Sequence, residues 1–462
     1  YVFTNPPFSI SLSNDEKKQL NSNFELDASS SSENLFIERW YQLLKVGGTF
    51  VAVIPETILD SASSSQIRLF LFRYFNIKAV ISLPYVAFKP FTSTKTCILV
   101  AEKKTDVDVE LWNKLWTTQE SEYKSLIKGY KSKIDSVQLN SAKELLGLES
   151  NEINLSRLLE LYSSELEQIV KDGSSWIFKN VMSAENITDY DIFLAEPQHV
   201  GYKRRKGLPD LEQPNDLYSS NDQQSVLRNY KTGDNESLRF GFKVKLSELS
   251  VRPSLRIDPK YLYLWIKREG KVFEGIGPLQ KLNELMIPFK PNKLPKGSLP
   301  YPRLLVDLGN VESKMSISSG IEEIDELGSD KIEFGDCDIA ISKLEPYLGK
   351  VLINEPEAEW IGSPEWLTYK KSEKVYHLDY LRFLLLTPEM LEVYRCLQSG
   401  KRHARMAEVD LLDLKVFKKS EDEQVKIANS CKKIMDDILI KRSEISSLRS
   451  DIDYIVTGTS NF

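Results

Sequence analysis

The chain has 462 residues, 41% of them hydrophobic and 28% charged, which supplies material for buried cores and excludes a chain dominated by disorder. That length corresponds to roughly two to four domains. A formal net charge of -6 excludes a global field that recruits nucleic acid, so any polyanion site has to be a local patch.

The first residues, YVFTNPPFSI, place a short β-rich run before Asn5-Pro6-Pro7-Phe8. Two consecutive prolines remove two backbone donors and hold the chain extended, so this stretch reads as a strand end that presents something. Residues 1 to 103 then alternate strand and helix patterns: ENLFIERWYQLLKVGG, TFVAVIP, SQIRLFLFRYF, IKAVISLP and TCILVAEKK. This alternation predicts an α/β unit built on a doubly wound sheet. From 104 to 240 the chain turns polar, with LWNKLW, KELLGL and LSRLLELYSSELEQIV spaced as a helical insertion, before IFLAEPQHVGYKRRKG restores a strand and turn. The polar stretch YSSNDQQSVLRNYKTGDNES reads as a linker edge, with a boundary near 235 to 250.

Residues 241 to 420 mix strands, turns and the helical YLRFLLLTPEMLEVYRCL, which predicts an α+β domain. In the tail from 421 to 462, Ile427, Cys431, Ile434, Ile438, Lys441, Ile445, Leu448 and Ile452 step by four and three alternately. That is an a/d seam with one Lys in it, the pattern of a coiled-coil helix. The cysteines at 97, 337, 396 and 431 form no cluster with metal-ligand spacing, so no metal is expected. No apolar run approaches the ~18 residues that span a bilayer, and a cytoplasmic location is expected. Because the sequence opens on a strand at Tyr1, an N-terminally truncated piece of a longer protein is expected.

Asn-Pro-Pro-Phe suits one kind of chemistry. An aromatic amine or amide nitrogen is a poor nucleophile because its lone pair is delocalised, and acceptors for its two N–H bonds make it electron-rich. The side-chain carbonyl of Asn5 supplies one acceptor and the backbone carbonyl of Pro6, fixed by the Pro6-Pro7 bend, supplies the second. Phe8 then offers a flat face for a planar base. A plain surface turn is the alternative that the tetrapeptide leaves open.

NPPF, FIERWYQLLKVGGTFVAVIPETIL, IRLFLFRYF and ISLPYVAFKPFTSTKTCILVAEKK occur in an order that resembles adenine-specific DNA methyltransferases, above all the modification subunit of type I restriction-modification systems. IFLAEPQHVGYKRRKGLPD carries the resemblance to about residue 217. It implies a target-amine motif at Asn5, Pro6, Pro7 and Phe8, and a second base-stacking aromatic at Phe88, with Phe91 as its rival. Lys95 and Thr96 fall in a substrate-loop segment or simply begin a strand. The family binds S-adenosylmethionine through a Gly-rich turn that precedes the target-amine motif, so that cofactor's binding motif is expected mostly upstream of this sequence. The sequence by itself is therefore expected to be inactive.

GDCDIAISKLEPYLGK, GSPEW, YLRFLLLTPEMLEVY, SGKRHARM and the heptad tail resemble one target-recognition domain and its spacer helix from a type I specificity subunit. Lys343, Tyr347 and Lys350 sit at turns from which they can touch phosphates, and Lys401, Arg402 and Arg405 lie in a basic loop that the family places near DNA. Gly362, Ser363 and Glu365 are expected to pack, and His403 has no acidic partner that would make it a base. Lys203, Arg204, Arg205 and Lys206 form either a solvated turn or a phosphate grip, and the grip is favoured.

The expected whole is a partial S-adenosylmethionine-dependent methyltransferase sheet fused to a target-recognition domain and a coiled-coil helix. Its expected function is site-specific methylation of the amino group of a flipped-out adenine in double-stranded DNA. Expected partners are a second copy pairing through residues 421 to 452, or restriction and modification subunits. A non-catalytic specificity module serving a partner chain, and a methyltransferase for RNA bases or protein amides, are the alternatives.

Overall fold

Apolar side chains alternate along TFVAVIP and FNIKAVIS, so one strand face can be buried only if neighbouring strands align their own apolar residues beside it. The computed structural model forms this sheet. It describes residues 1–8, 10, 12–20, 24–26, 32–85, 87–88, 91–92, 94–136, 173–201, 203–205, 208–210, 214–219, 224–234, 236–252, 254–400 and 403–457. Contacts divide the chain into two units, Tyr1–Lys267 and Arg268–Phe462.

In the first unit the strands are β1 (Val2–Thr4), β2 (Thr49–Pro55), β3 (Phe75–Ser82), β4 (Thr96–Lys103), β5 (Asp191–Ala195), a small hairpin of β6 (Lys203–Arg205) and β7 (Leu208–Asp210), and β8 (Phe242–Lys245). The main sheet has the order β1-β2-β4-β3-β5-β8. Strands β1 and β2 are parallel, as are β3 and β5, whereas β4 runs antiparallel to both β2 and β3. The C-terminal ends of β1, β2, β3 and β5 and the N-terminal end of β4 therefore share one edge of the sheet. In open α/β sheets that edge is where ligands bind.

Phe50 on β2 is fully buried, 5.0 Å between ring centroids from Trp40 on the helix Ser32–Leu43 and 5.1 Å from Phe75 on β3. On the helix Ser65–Tyr74, Phe72 meets Phe178 of the helix Gly173–Met182 at 5.2 Å. Each fully buried ring of this kind contributes about 1.5–3 kcal/mol of transfer free energy. Arg68, on the same helix as Phe72, is also fully buried, and its guanidinium donates to the carbonyls of Ile58 (3.0 Å), Ser61 (2.7 Å) and Ser254 (2.9 Å). Arg68→Met removes the guanidinium donors from all three carbonyls, although the Ser61 carbonyl keeps the Ser64 amide at 3.1 Å. The expected loss is about 3 kcal/mol of first-unit stability in denaturant titration, and a loss below about 1 kcal/mol overturns the assignment.

The expected boundary lies earlier than the observed one. Strand β8 pairs with β5 and completes the sheet, and the polar stretch before it contains the helix Val226–Thr232, so the first unit runs on to Lys267. LWNKLW lies in the helix Asp106–Ser136. KELLGL and LSRLLELYSSELEQIV, the rest of the expected helical insertion, lie outside the described residues.

The second unit holds a four-stranded antiparallel sheet in the order Met286–Pro288, Trp366–Lys371, Ile339–Ser342, Val351–Ile353. A five-stranded mixed sheet includes Gly297–Leu305, Glu322–Leu327 and Ile361–Gly362. Gly362 packs as expected: a Cβ there would lie 2.5 Å from the Val306 carbonyl oxygen and 2.8 Å from the Phe334 ring. The tail forms the helix Glu421–Thr457. Its first turns bury Gln424 and Ala428 and half-bury Ile427, Cys431 and Ile438, whereas Lys441, Ile445, Leu448 and Ile452 are exposed.

Candidate functional site

Thr4 of β1 stands beside Ala52 of β2, so continuing the parallel register brings Asn5 and Pro6 level with Val53 and Ile54. Pro6 is buried and anchors the turn, while Asn5 and Pro7 are exposed and Phe8 is half-buried. The Pro-Pro step ends β1, because neither ring nitrogen can donate to a ladder. No hydrogen bond within the described residues claims the Asn5 side chain, so its carboxamide is open to an incoming group. Phe8 meets Phe88 edge-to-face, with ring centroids 6.4 Å apart and planes at 88°. Two aromatics expected at the site from segments eighty residues apart thus stand together, while Phe91 is 80% exposed.

A row of polar groups continues along the same edge. Glu56 follows β2, Ser82 ends β3, Lys95 precedes β4 and Glu196 follows β5. Ser82 Oγ lies 3.0 and 2.9 Å from the two Glu56 carboxylate oxygens. Lys95 Nζ donates to Glu196 Oε1 at 2.9 Å and stands 3.9 Å from Glu56 Oε2. Lys260 Nζ is 3.2 Å from the same Glu196 oxygen, while Glu196 Oε2 is buried and unpartnered among the described residues. Burial pushes the Glu56 carboxyl up to about 8, with Lys95 pulling against that rise and Glu196, Asp258 and Asp60 adding to it. Burial therefore favours the protonated form of Glu56, since a proton-bearing carboxyl costs less to bury than a bare charge.

The second unit brings Lys343 and Arg405 to one carboxylate. Arg405 makes a two-pronged pair with Glu365, Nη2 to Oε1 at 2.7 Å and Nε to Oε2 at 3.0 Å, and holds that carboxyl below its usual range. Lys343 donates to the Pro364 carbonyl at 2.8 Å, with Glu365 4.0 Å away. Lys350 donates to the Leu308 carbonyl, and Tyr347 lies under the Arg395 guanidinium at 5.5 Å. The Ser363 hydroxyl accepts from the Glu365 amide at 3.2 Å, as fits a packed turn. Lys206, Lys401 and Arg402 lie outside the described residues, and for Lys203, Arg204 and Arg205 the description covers the backbone strand alone.

Sequence reasoning did not single out Glu56, Ser82, Glu196 or Lys260. Their one local signal is a polar residue set directly after an apolar strand, as in VAVIPE and IFLAE, and that position is also where ordinary turns begin.

Residues 1–205 match the protein family described as N-6 DNA Methylase, which relates the first unit to DNA methyltransferases. No curated protein matches the chain. A solved chain from work on the assembly and conformational transition of the type I R-M system is similar at 30% identity, over 22% of this chain and 20% of that one, with a TM-score of 0.20. The HsdS subunit from Thermoanaerobacter tengcongensis is similar at 14% identity over 38% of this chain and 46% of its own, with a TM-score of 0.29. The type IIG restriction endonuclease BpuSI is similar at 10% identity over 93% of this chain and 48% of its own, with a TM-score of 0.34. The chain thus spans about a fifth of the first of these proteins. Among the described residues no helix is long and apolar enough to cross a membrane.

Proposed function

We propose that this chain belongs to a site-specific DNA methyltransferase of a restriction-modification system, and that its first unit presents the amino group of an extruded adenine for methylation. The reading rests on the open Asn5 carboxamide at the ligand edge of the sheet, beside the paired rings of Phe8 and Phe88. Asn5 Oδ1 and the Pro6 carbonyl accept the two amino N–H bonds and draw the nitrogen lone pair out of the ring. Phe8 and Phe88 hold the base plane, which offsets the few kcal/mol that extrusion from the duplex costs. No side chain needs to act as a nucleophile, so catalysis is positioning and electrostatics.

S-adenosylmethionine is the methyl donor that this chemistry requires. Among the described residues no strand of the first sheet opens into a glycine-rich turn: Gly47 and Gly48 precede β2, at the opposite end of the sheet from Asn5. The described residues do not fit the donor's cradle, and the role proposed for them is confined to the adenine.

The second unit supplies recognition in this proposal. Lys343, Tyr347, Lys350, Lys401, Arg402 and Arg405 are its phosphate-side candidates, and the Arg405 side chain, 50% exposed, retains donors beyond those that hold Glu365. Lys203, Arg204 and Arg205 are the candidates on the first unit. The exposed stripe Ile445, Leu448 and Ile452 pairs two copies side by side, with Lys441 lowering stability while selecting one register. Sedimentation of the wild type should show a dimer that Lys441→Leu tightens, and monomers in both overturn the pairing.

Methylation-sensitive sequencing of DNA from cells carrying the intact gene tests the main reading. N6-methyladenine at one recurring sequence, lost on deletion of the gene, is expected. A mark confined to RNA or protein, or none at all, overturns it.

A further inference from the structure

We propose that Lys95, held by Glu196 with Glu56 beside it, is a positioning residue that fixes the described ends of the connection between β3 and β4, residues 83–85 and 94–95, and thereby keeps Phe88 against Phe8. The inference rests on the proposed function only for what the held ring does; the holding itself is a matter of structure.

Strands β3 and β4 are antiparallel neighbours joined by thirteen residues, far longer than the ~2–5 residues that usually join a hairpin. A connection of that length carries a closure cost and many conformations unless something ties it down. At its foot the Leu83 amide donates to the Thr96 carbonyl at 2.8 Å, which closes the ladder. The Lys95 carbonyl accepts from the Glu56 amide at 3.0 Å, tying the returning end to β2. The Lys95 side chain completes the attachment. Its ammonium reaches Glu196 beyond β5, passes Glu56 beyond β2, and lies 5.3 Å over the Tyr85 ring near the outgoing end. One cation thus joins both ends of the segment to two other strands.

Three features mark this as a fixed arrangement. The side chains of Lys95 and Glu196 are only 17% and 10% exposed, so solvent screens their attraction little, and the Glu56 side chain beside them is 11% exposed. Lys260 meets the same Glu196 oxygen from the segment that begins at Ser254, whose carbonyl Arg68 holds. Removing Lys95 leaves the buried Glu196 carboxylate with Lys260 alone of these two cations, so the cluster favours the conformation that keeps both. The Phe88 carbonyl accepts from the Phe91 amide (2.9 Å) and the Thr92 amide (3.1 Å), which ties Phe88 to the residues that lead back to Lys95.

Hydrogen exchange read by mass spectrometry on the full chain, with wild type, Lys95→Met and Lys95→Arg, tests the proposal. In Lys95→Met the amides of 83–95 should exchange about 10-fold faster or more, while β2 and the body of β4 stay protected, and Lys95→Arg should restore most of the protection. Should Lys95→Met fail to fold, Glu196→Gln is read in the same way. Unchanged exchange across 83–95 in the folded variant overturns the proposal, as does equal loosening of the whole sheet. A second readout is tritiated methyl incorporation by the intact protein into DNA from cells lacking the gene: KM for DNA should rise several-fold more than kcat falls. Failure of the exchange result with methylation intact sinks this inference alone, whereas absence of a DNA mark with the exchange result intact sinks the proposed function alone.

Discussion

Asn5→Ala in the intact protein should lower methyl incorporation into DNA by about 100- to 1000-fold, the usual consequence of removing one acceptor or donor aimed at the reacting centre. DNA binding should hold, because the proposed phosphate contacts lie elsewhere and the aromatic pair remains. The substitution also leaves the fold alone: Asn5 is exposed and its side chain makes no hydrogen bond within the described residues, so its loss leaves no described group without a partner. Asn5→Asp is the sharper comparison. It keeps the acceptor and adds a charge, and activity well above that of Asn5→Ala is expected from it. Equal incorporation by wild type and Asn5→Ala removes Asn5 from its role.

Glu56→Gln should flatten the dependence of first-unit stability on pH. Burial raises the folded Glu56 carboxyl to about 8 from an ordinary value near 4.5. As pH rises the unfolded chain releases this proton first, so it binds fewer protons than the folded chain between those two values. Wild-type stability from this group is thus greatest below about 4.5, falls as pH climbs to about 8, and is flat above. The groups facing Glu56 are Ser82, Lys95, Glu196, Asp258 and Asp60; of the charged ones only Lys95 favours ionisation, and burial outweighs it. Gln keeps the shape and hydrogen bonding of the protonated acid without the proton. Denaturant titrations should therefore show the variant gaining on wild type by on the order of 4 kcal/mol between pH 4.5 and pH 8.5. A constant difference between the two proteins across that range overturns the assignment.

The strand end at Asn5-Pro6-Pro7-Phe8 was legible in advance, and the reasons are local. The stretch is contiguous and its stiffness comes from two rings in the backbone, so the end of β1 is readable without neighbours. The alternation in TFVAVIP and TCILVAEKK likewise declares buried strands. Register and partner are a different matter. Nothing in STKTCILV says that its strand inserts antiparallel between β2 and β3, and that insertion alone sets Lys95 between Glu56 and Glu196. The reach of the first unit to Lys267 was hidden for a similar reason. A four-residue strand, FKVK, has too little pattern to announce itself, and it gains its identity from pairing with β5. Along the Glu421–Thr457 helix the seam shows at the right spacing, but the sequence does not tell which of its turns the second unit covers.

The antiparallel insertion of β4 also bears on how the molecule matures. The polar row draws on positions 56, 82, 95 and 196, and Arg68 fastens to Ser254, so these contacts have very high sequence separation. Such contacts form late in folding, since chain closure has to precede any reward from them. A nascent chain that ends before Glu196 can zip β2, β4 and β3 together yet still lacks the partner that anchors Lys95. The polar row at this edge should therefore be finished only after synthesis has passed Glu196, when the strands β2, β4 and β3 have long been in place.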